Sequence, residues 1–195
     1  FSSTKGATAL CAHILASRGQ LDLDAPVAKY WPEFAQAGKD KIPVKMLLNH
    51  QAGLPAVREP LPQGAYANWD LMVNALAKEE PFWEPGTRNG YHALTIGWLV
   101  GEVVRRVSGK SLGTFFRDEV AKPLGLDFWI GLPEDKESRV SPMIATAPDL
   151  DSVFFREMTS RGTITSLAML NVGGYMGAKP EYDTRAAHAA EIGGA

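Results

Sequence analysis

Near the start of the chain stands Ser2-Ser3-Thr4-Lys5, an S-x-x-K tetrapeptide at the head of an apolar-periodic stretch. A serine hydroxyl is a poor nucleophile at neutral pH until an adjacent base takes its proton. On a helix, residues i and i+3 share one side a turn apart, so Ser2 Oγ and Lys5 Nζ can come within hydrogen-bond reach. A lysine serves as that base only when burial or a neighbouring cation pulls its pKa down from about 10.4. The positive end of the helix would favour an alkoxide forming on Ser2. The same residues suit a helix N-cap, a task either Ser2 or Ser3 would fill. Two fixed residues in four also recur by chance in a chain of 195.

Other reactive side chains fit no pattern as well. The four histidines, His13, His50, His92 and His188, lack a spacing such as H-x-x-x-H, so no metal is expected. Gly173-Gly174 and Gly193-Gly194 read as loop punctuation without a phosphate-binding pattern, and no cofactor is expected. No G-x-S-x-G elbow is read, which argues against an α/β-hydrolase triad. The single cysteine, Cys11, lies in an apolar stretch and suits core packing; no disulfide can form within the chain.

The elements that must position Ser2 and Lys5 are mostly helical. "GATALCAHILASRG" places Ala7, Leu10, Cys11, Ile14 and Leu15 at helical intervals, predicting a helix from Ser2 or Ser3 to Arg18. "PVKMLLNHQAGLP" predicts a short helix ending near His50 and turning at Gly53. "NWDLMVNALAKEE" predicts another, capped by Asn68, with Trp69, Met72 and Leu76 on one face. The strongest is "ALTIGWLVGEVVRRVSG", where Ile96, Val100, Val103, Val104 and Val107 line one side and Gly109 closes the end. "SLGTFFRDEVAKPLGL" predicts a fourth substantial helix, stopped by Pro123 and Gly125. Beyond Phe128 the pattern weakens: "FWIGL" and "RVSPMIA" read as short strands, and 160–195 as a short helix within Gly-rich loop.

Composition bounds the class. A chain of 195 residues that is 45% hydrophobic can bury a core as one domain. A net charge of -2 without a basic run argues against a nucleic-acid partner. The longest apolar runs are too short to span a membrane. Compartment and oligomeric state stay open; a cytoplasmic setting is favoured, and secreted or periplasmic ones are compatible.

Four blocks, "FSSTKGATAL", "LLNHQAGLP", "EPGTRNGYHALTIGWLVGEVVRRVSGKSL" and "KPLGL", occur in this order over roughly residues 1 to 130. In them the chain resembles the serine β-lactamase and penicillin-binding-protein-like hydrolases, and within these the class C-like family VIII carboxylesterases; S-x-x-K is a motif of that group. The resemblance implies an α+β, β-lactamase/transpeptidase-like fold. It also implies a serine hydrolase working through an acyl-enzyme, with Ser2 as nucleophile and Lys5 as base. The second motif of the family is a tyrosine followed two residues later by asparagine. Tyr66-Ala67-Asn68 spells that literally, whereas Tyr91-His92-Ala93 lacks the asparagine. Position after the "PG" turn and ahead of the long helix favours Tyr91, which by resemblance shuttles the proton as base in acylation and acid toward the leaving group.

His92 and Ala93 are the candidate substrate-binding positions, although His92 is also read as facing solvent. Because Ala93 replaces the asparagine that would grip a substrate amide, the resemblance points to a short-chain carboxylic ester as substrate. A β-lactam or D-Ala-D-Ala amide, or recognition without turnover, is the alternative. The family's third motif has no match between Gly131 and Ala195. Residues 1–195 are therefore expected to be a partial, mainly helical portion of the domain with few short strands, inactive by itself.

Overall fold

The computed structural model of the chain describes residues 1–144, 147, 149–177 and 179–195. Among the described residues eight α-helices run in chain order: α1 (Thr4–Ser17), α2 (Val44–Leu48), α3 (Trp69–Lys78), α4 (Thr95–Ser108), α5 (Leu112–Phe116), α6 (Val153–Thr159), α7 (Ile164–Leu170) and α8 (Arg185–Ala189). Among the described residues the one β-pairing is an isolated antiparallel bridge between Pro26 and Pro43. Neither expected strand forms: "FWIGL" is irregular, and "RVSPMIA" ends a 3₁₀ stretch (Glu134–Arg139) before running on without pairing as far as Ile144. Its Ala145 lies outside the described residues.

The four strongest helices form where the apolar period places them. Asn68 caps α3, its side chain accepting from the Leu71 N–H at 3.0 Å, and Met72 and Leu76 face inward. Gly109, at φ 71°, closes α4 in the left-handed region that a glycine enters without a Cβ penalty. Ser111 caps α5. The helix continues beyond Phe116 with a wider π-wound turn over Arg117–Ala121, and after Lys122 comes Pro123, which has no N–H to donate. α6 lies where the sequence showed no clear period; Ser152 caps it by accepting from the Phe155 N–H at 3.1 Å.

α4 is the axis of the molecule. The apolar stripe predicted one buried side, yet every residue from 95 to 104 is buried. The reason is that α1, α2, α3 and α5 all pack on it, and two glycines admit close neighbours, α3 and α5 at one and the Gly193–Gly194 backbone at the other. A Cβ on Gly101 would come within 2.6 Å of the Trp69 indole and 3.2 Å of Leu112. A Cβ on Gly97 would meet the backbone of Gly193 at 2.7 Å. The charged member of this buried run, Glu102, is fully neutralised. Its carboxylate accepts from Arg105 and Arg106 at 2.7 Å and from Trp69 Nε1 at 2.8 Å. Those donors hold the carboxyl below its usual range although burial pushes it up.

Candidate active site

Three side chains meet at one end of α1 and α4. Tyr91 Oη donates to Ser2 Oγ at 2.8 Å, and Lys5 Nζ donates to the same oxygen at 3.0 Å. Lys5 Nζ also lies 4.9 Å from the centre of the Tyr91 ring and donates to the carbonyl of Gly194. Lys5 projects from the first turn of α1, one turn beyond Ser2, so both point the same way. Ser3 occupies the N-cap position and makes no side-chain cap bond, and the Ser2 hydroxyl is engaged by Lys5 and Tyr91 instead. The capping alternative thus has no support in the geometry.

Tyr91 comes from the loop before α4, and that loop is pinned from below. The Gly90 N–H donates to the His50 carbonyl at 3.1 Å, and the His92 N–H donates to His50 Nδ1 at 3.1 Å. His50 adopts φ 63°, an unusual conformation for a residue with a Cβ, and its ring packs 5.0 Å from the Tyr91 ring. Partial burial, with help from the Lys5 cation, lowers the His50 pKa. Partial burial pushes the Tyr91 phenol up, but its hydrogen bonds with Ser2 and Lys5 and the Lys5 charge outweigh this and hold it below the ordinary tyrosine value.

His92 does not face solvent. Its side chain is fully buried, because the loop turns it under Tyr91 into the core. Nε2 accepts from the Leu54 N–H at 2.9 Å, so the ring proton sits on Nδ1, which donates to the Gly90 carbonyl at 2.6 Å. A second proton would displace the Leu54 donor inside the core, and burial pushes the pKa down to about 4. Ala93 follows at the surface of two apolar clefts. One, of about 240 Å³, reaches Ser2 and is walled by Phe154, Met169 and Met176; the other, of about 300 Å³, runs toward Pro55 and Trp83.

Tyr66, the literal Y-A-N alternative, is committed elsewhere: its hydroxyl donates to Glu181 at 2.7 Å, and the residue is only 2% exposed. The chain also holds a literal G-x-S-x-G at Gly109, Ser111 and Gly113, contrary to the sequence reading. It is no nucleophile elbow, since Ser111 caps α5 and donates to Glu191 at 2.7 Å. Gly193 and Gly194 prove more than loop punctuation. The Gly193 carbonyl accepts from Thr8 Oγ1 at 2.8 Å in the core, Gly194 holds Lys5, and both lie against α4 where no Cβ fits. A Gly-Gly pair together with a glycine inside a buried helix was the available signal. Among the described residues no cluster of three potential metal ligands occurs, and no helix is long and apolar enough to cross a membrane.

A sequence model described as Beta-lactamase matches residues 1–190. The chain is 42% identical over 146 residues to the Esterase/beta-lactamase LipL of Mycobacterium tuberculosis (strain ATCC 25618 / H37Rv), covering 74% of this chain and 34% of that protein. A crystal structure of a family VIII carboxylesterase is 40% identical, with a TM-score of 0.83, over all of this chain and 49% of the other. EstA from Arthrobacter nitroguajacolicus Rue61a is 37% identical, with a TM-score of 0.86, over all of this chain and 50% of the other. The chain thus spans about a third of the curated relative and half of each of these structures. With S-x-x-K, the tyrosine and the ordered blocks carried on a matching fold, the chain belongs to the Beta-lactamase family.

Proposed function

We propose that the whole protein is a serine hydrolase that cleaves short-chain carboxylic esters through an acyl-enzyme. One observation carries this reading: the Ser2 hydroxyl sits 2.8 Å from a tyrosine and 3.0 Å from a lysine, beside an apolar cleft. In the reactive form Tyr91 is the phenolate, stabilised by the Lys5 charge, and the Ser2 hydroxyl donates to it. Ser2 Oγ attacks the ester carbonyl as its proton passes to Tyr91 Oη, so the base role expected of Lys5 falls to Tyr91 with Lys5 as its cation. The C–Oγ bond forms and the carbonyl electrons move to oxygen. The tetrahedral intermediate then collapses, the bond to the alcohol breaks, and Tyr91 returns the proton to the departing alkoxide. Water repeats the sequence on the acyl-enzyme, releasing the carboxylic acid and restoring Ser2. The Ser2 N–H, at the start of α1, is one donor to the oxyanion. We assign the second donor to parts of the protein outside residues 1–195, which form a partial, mainly helical portion of the domain.

Lys5 is fixed by the Gly194 carbonyl and by Ser2, which keeps its charge beside the phenol. Ala93 presents only a methyl group where an amide-binding side chain would be needed, and this favours esters over β-lactams. Incubating the whole protein with a fluorophosphonate and measuring intact mass tests the reading. A single adduct that maps to Ser2 and disappears in Ser2→Ala is the expected result; no adduct overturns the catalytic assignment and leaves a recognition module. Turnover of nitrocefin exceeding that of p-nitrophenyl butyrate would favour the β-lactamase alternative.

A further inference from the structure

Two apolar clefts flank the Tyr91–Ala93 turn, and four residues line both of them: Tyr91, Ala93, Phe154 and Met169. Tyr91 and Ala93 belong to the turn beside Ser2. Phe154 and Met169 come from elsewhere, one from α6 and one from α7, two short helices packed against each other and reaching over the turn. Only the smaller cleft includes Ser2, and its volume of about 240 Å³ lies below the about 300–1,000 Å³ usual for sites that hold drug-sized ligands. The second cleft, of about 300 Å³, continues beyond the shared pair toward Pro55, Trp83 and Ile164 without touching Ser2.

We propose that Phe154 and Met169 form a septum between these clefts and set the length of acyl chain that Ser2 accepts. This rests on the ester-hydrolase reading above. An acyl group bonded to Ser2 Oγ must begin in the cleft that contains that oxygen. Its chain is apolar because Met176, Ala93, Leu94 and the septum offer it no charged partner. A chain of a few carbons fits the first cleft, and a longer one meets Phe154 and Met169. With the septum trimmed, the second cleft becomes the space into which the chain extends, and each added buried methylene then contributes favourably. Phe154 is accessible to this test: it is 56% exposed and stands outside the core, so its loss leaves no cavity there.

The whole protein is assayed with p-nitrophenyl acetate, butyrate, hexanoate and octanoate, and kcat/KM is compared across the series. For Phe154→Ala and Met169→Ala the octanoate-to-butyrate ratio is expected to rise about tenfold, the scale on which an apolar pocket discriminates a methylene or two. For Met169→Trp, which thickens the septum, the ratio is expected to fall and acetate to become preferred. Pre-steady-state bursts in the same samples report the Ser2 acyl-enzyme. Intact, Ser2-dependent bursts with an unchanged ratio in all three variants overturn the septum while leaving the ester-hydrolase reading in place. A wild type that shows no ester turnover, or whose turnover survives Ser2→Ala, overturns both.

Discussion

Tyr91 concentrates the chemistry of the site in one hydroxyl. Replacing it with Phe keeps the packing on His50 and removes the hydroxyl that meets Ser2 and Lys5. Acylation by p-nitrophenyl butyrate is expected to slow by about 10²–10⁴-fold, the usual span of a lost proton-transfer group, with circular dichroism unchanged. Because Lys5 and Ser2 hold the phenol below its ordinary value, the alkaline rise in kcat/KM should fall below pH 10 in the wild type. A limb at or above pH 10 would contradict the role. His92 gives a different pH effect. Its folded pKa of about 4 lies below its usual 6.5, so the unfolded chain binds the extra proton first. Stability should therefore fall as pH drops from about 6.5 to about 4, by about 3 kcal/mol at most, and then level off. Urea titrations of wild type and His92→Gln across that range check this: the slope should be much smaller in the variant.

At the scale of elements, α4 carries the largest energetic consequences. Removing the Glu102 carboxylate leaves the Trp69 N–H and two arginine side chains without their shared acceptor. Glu102→Ala should cost about 3 kcal/mol in urea unfolding, as expected when one partner of a buried ionic network is lost. Gly97→Ala acts differently, because its new methyl strikes backbone at Gly193 rather than a side chain able to turn away. A loss of about 1–3 kcal/mol is expected. Since the same backbone holds Lys5, activity should fall further than in Glu102→Ala at equal stability. Comparing the two variants at matched urea midpoints tests this.

For the whole molecule, legibility tracked how local the signal was. α1, α3 and α4 follow from apolar period and their end residues, Asn68 and Gly109 among them, because these act within a turn or two. The S-x-x-K pair was visible for the same reason. The burial of His92 was not, since it depends on a donor from Leu54, 38 positions away in the chain. Nor was α6, whose capping residue Ser152 precedes helix faces lacking a buried stripe. The short strands were misjudged because apolar runs such as "FWIGL" carry no period to separate strand from irregular chain. The septum and the Lys5–Gly194 bond likewise arise from segments remote in sequence.

That last bond joins positions 189 residues apart, and with Thr8–Gly193 it closes residues 5–194 into a ring. Closing a loop of that length is slow relative to winding a helix. On this basis the site should be completed late in folding and be among the first features lost under mild denaturant. Hydrogen exchange at residues 192–195 should then run ahead of that in α4, and inactivation should precede the cooperative melting of the helices. The protein would thus have two separate lifetimes, a shorter one as a catalyst and a longer one as a fold.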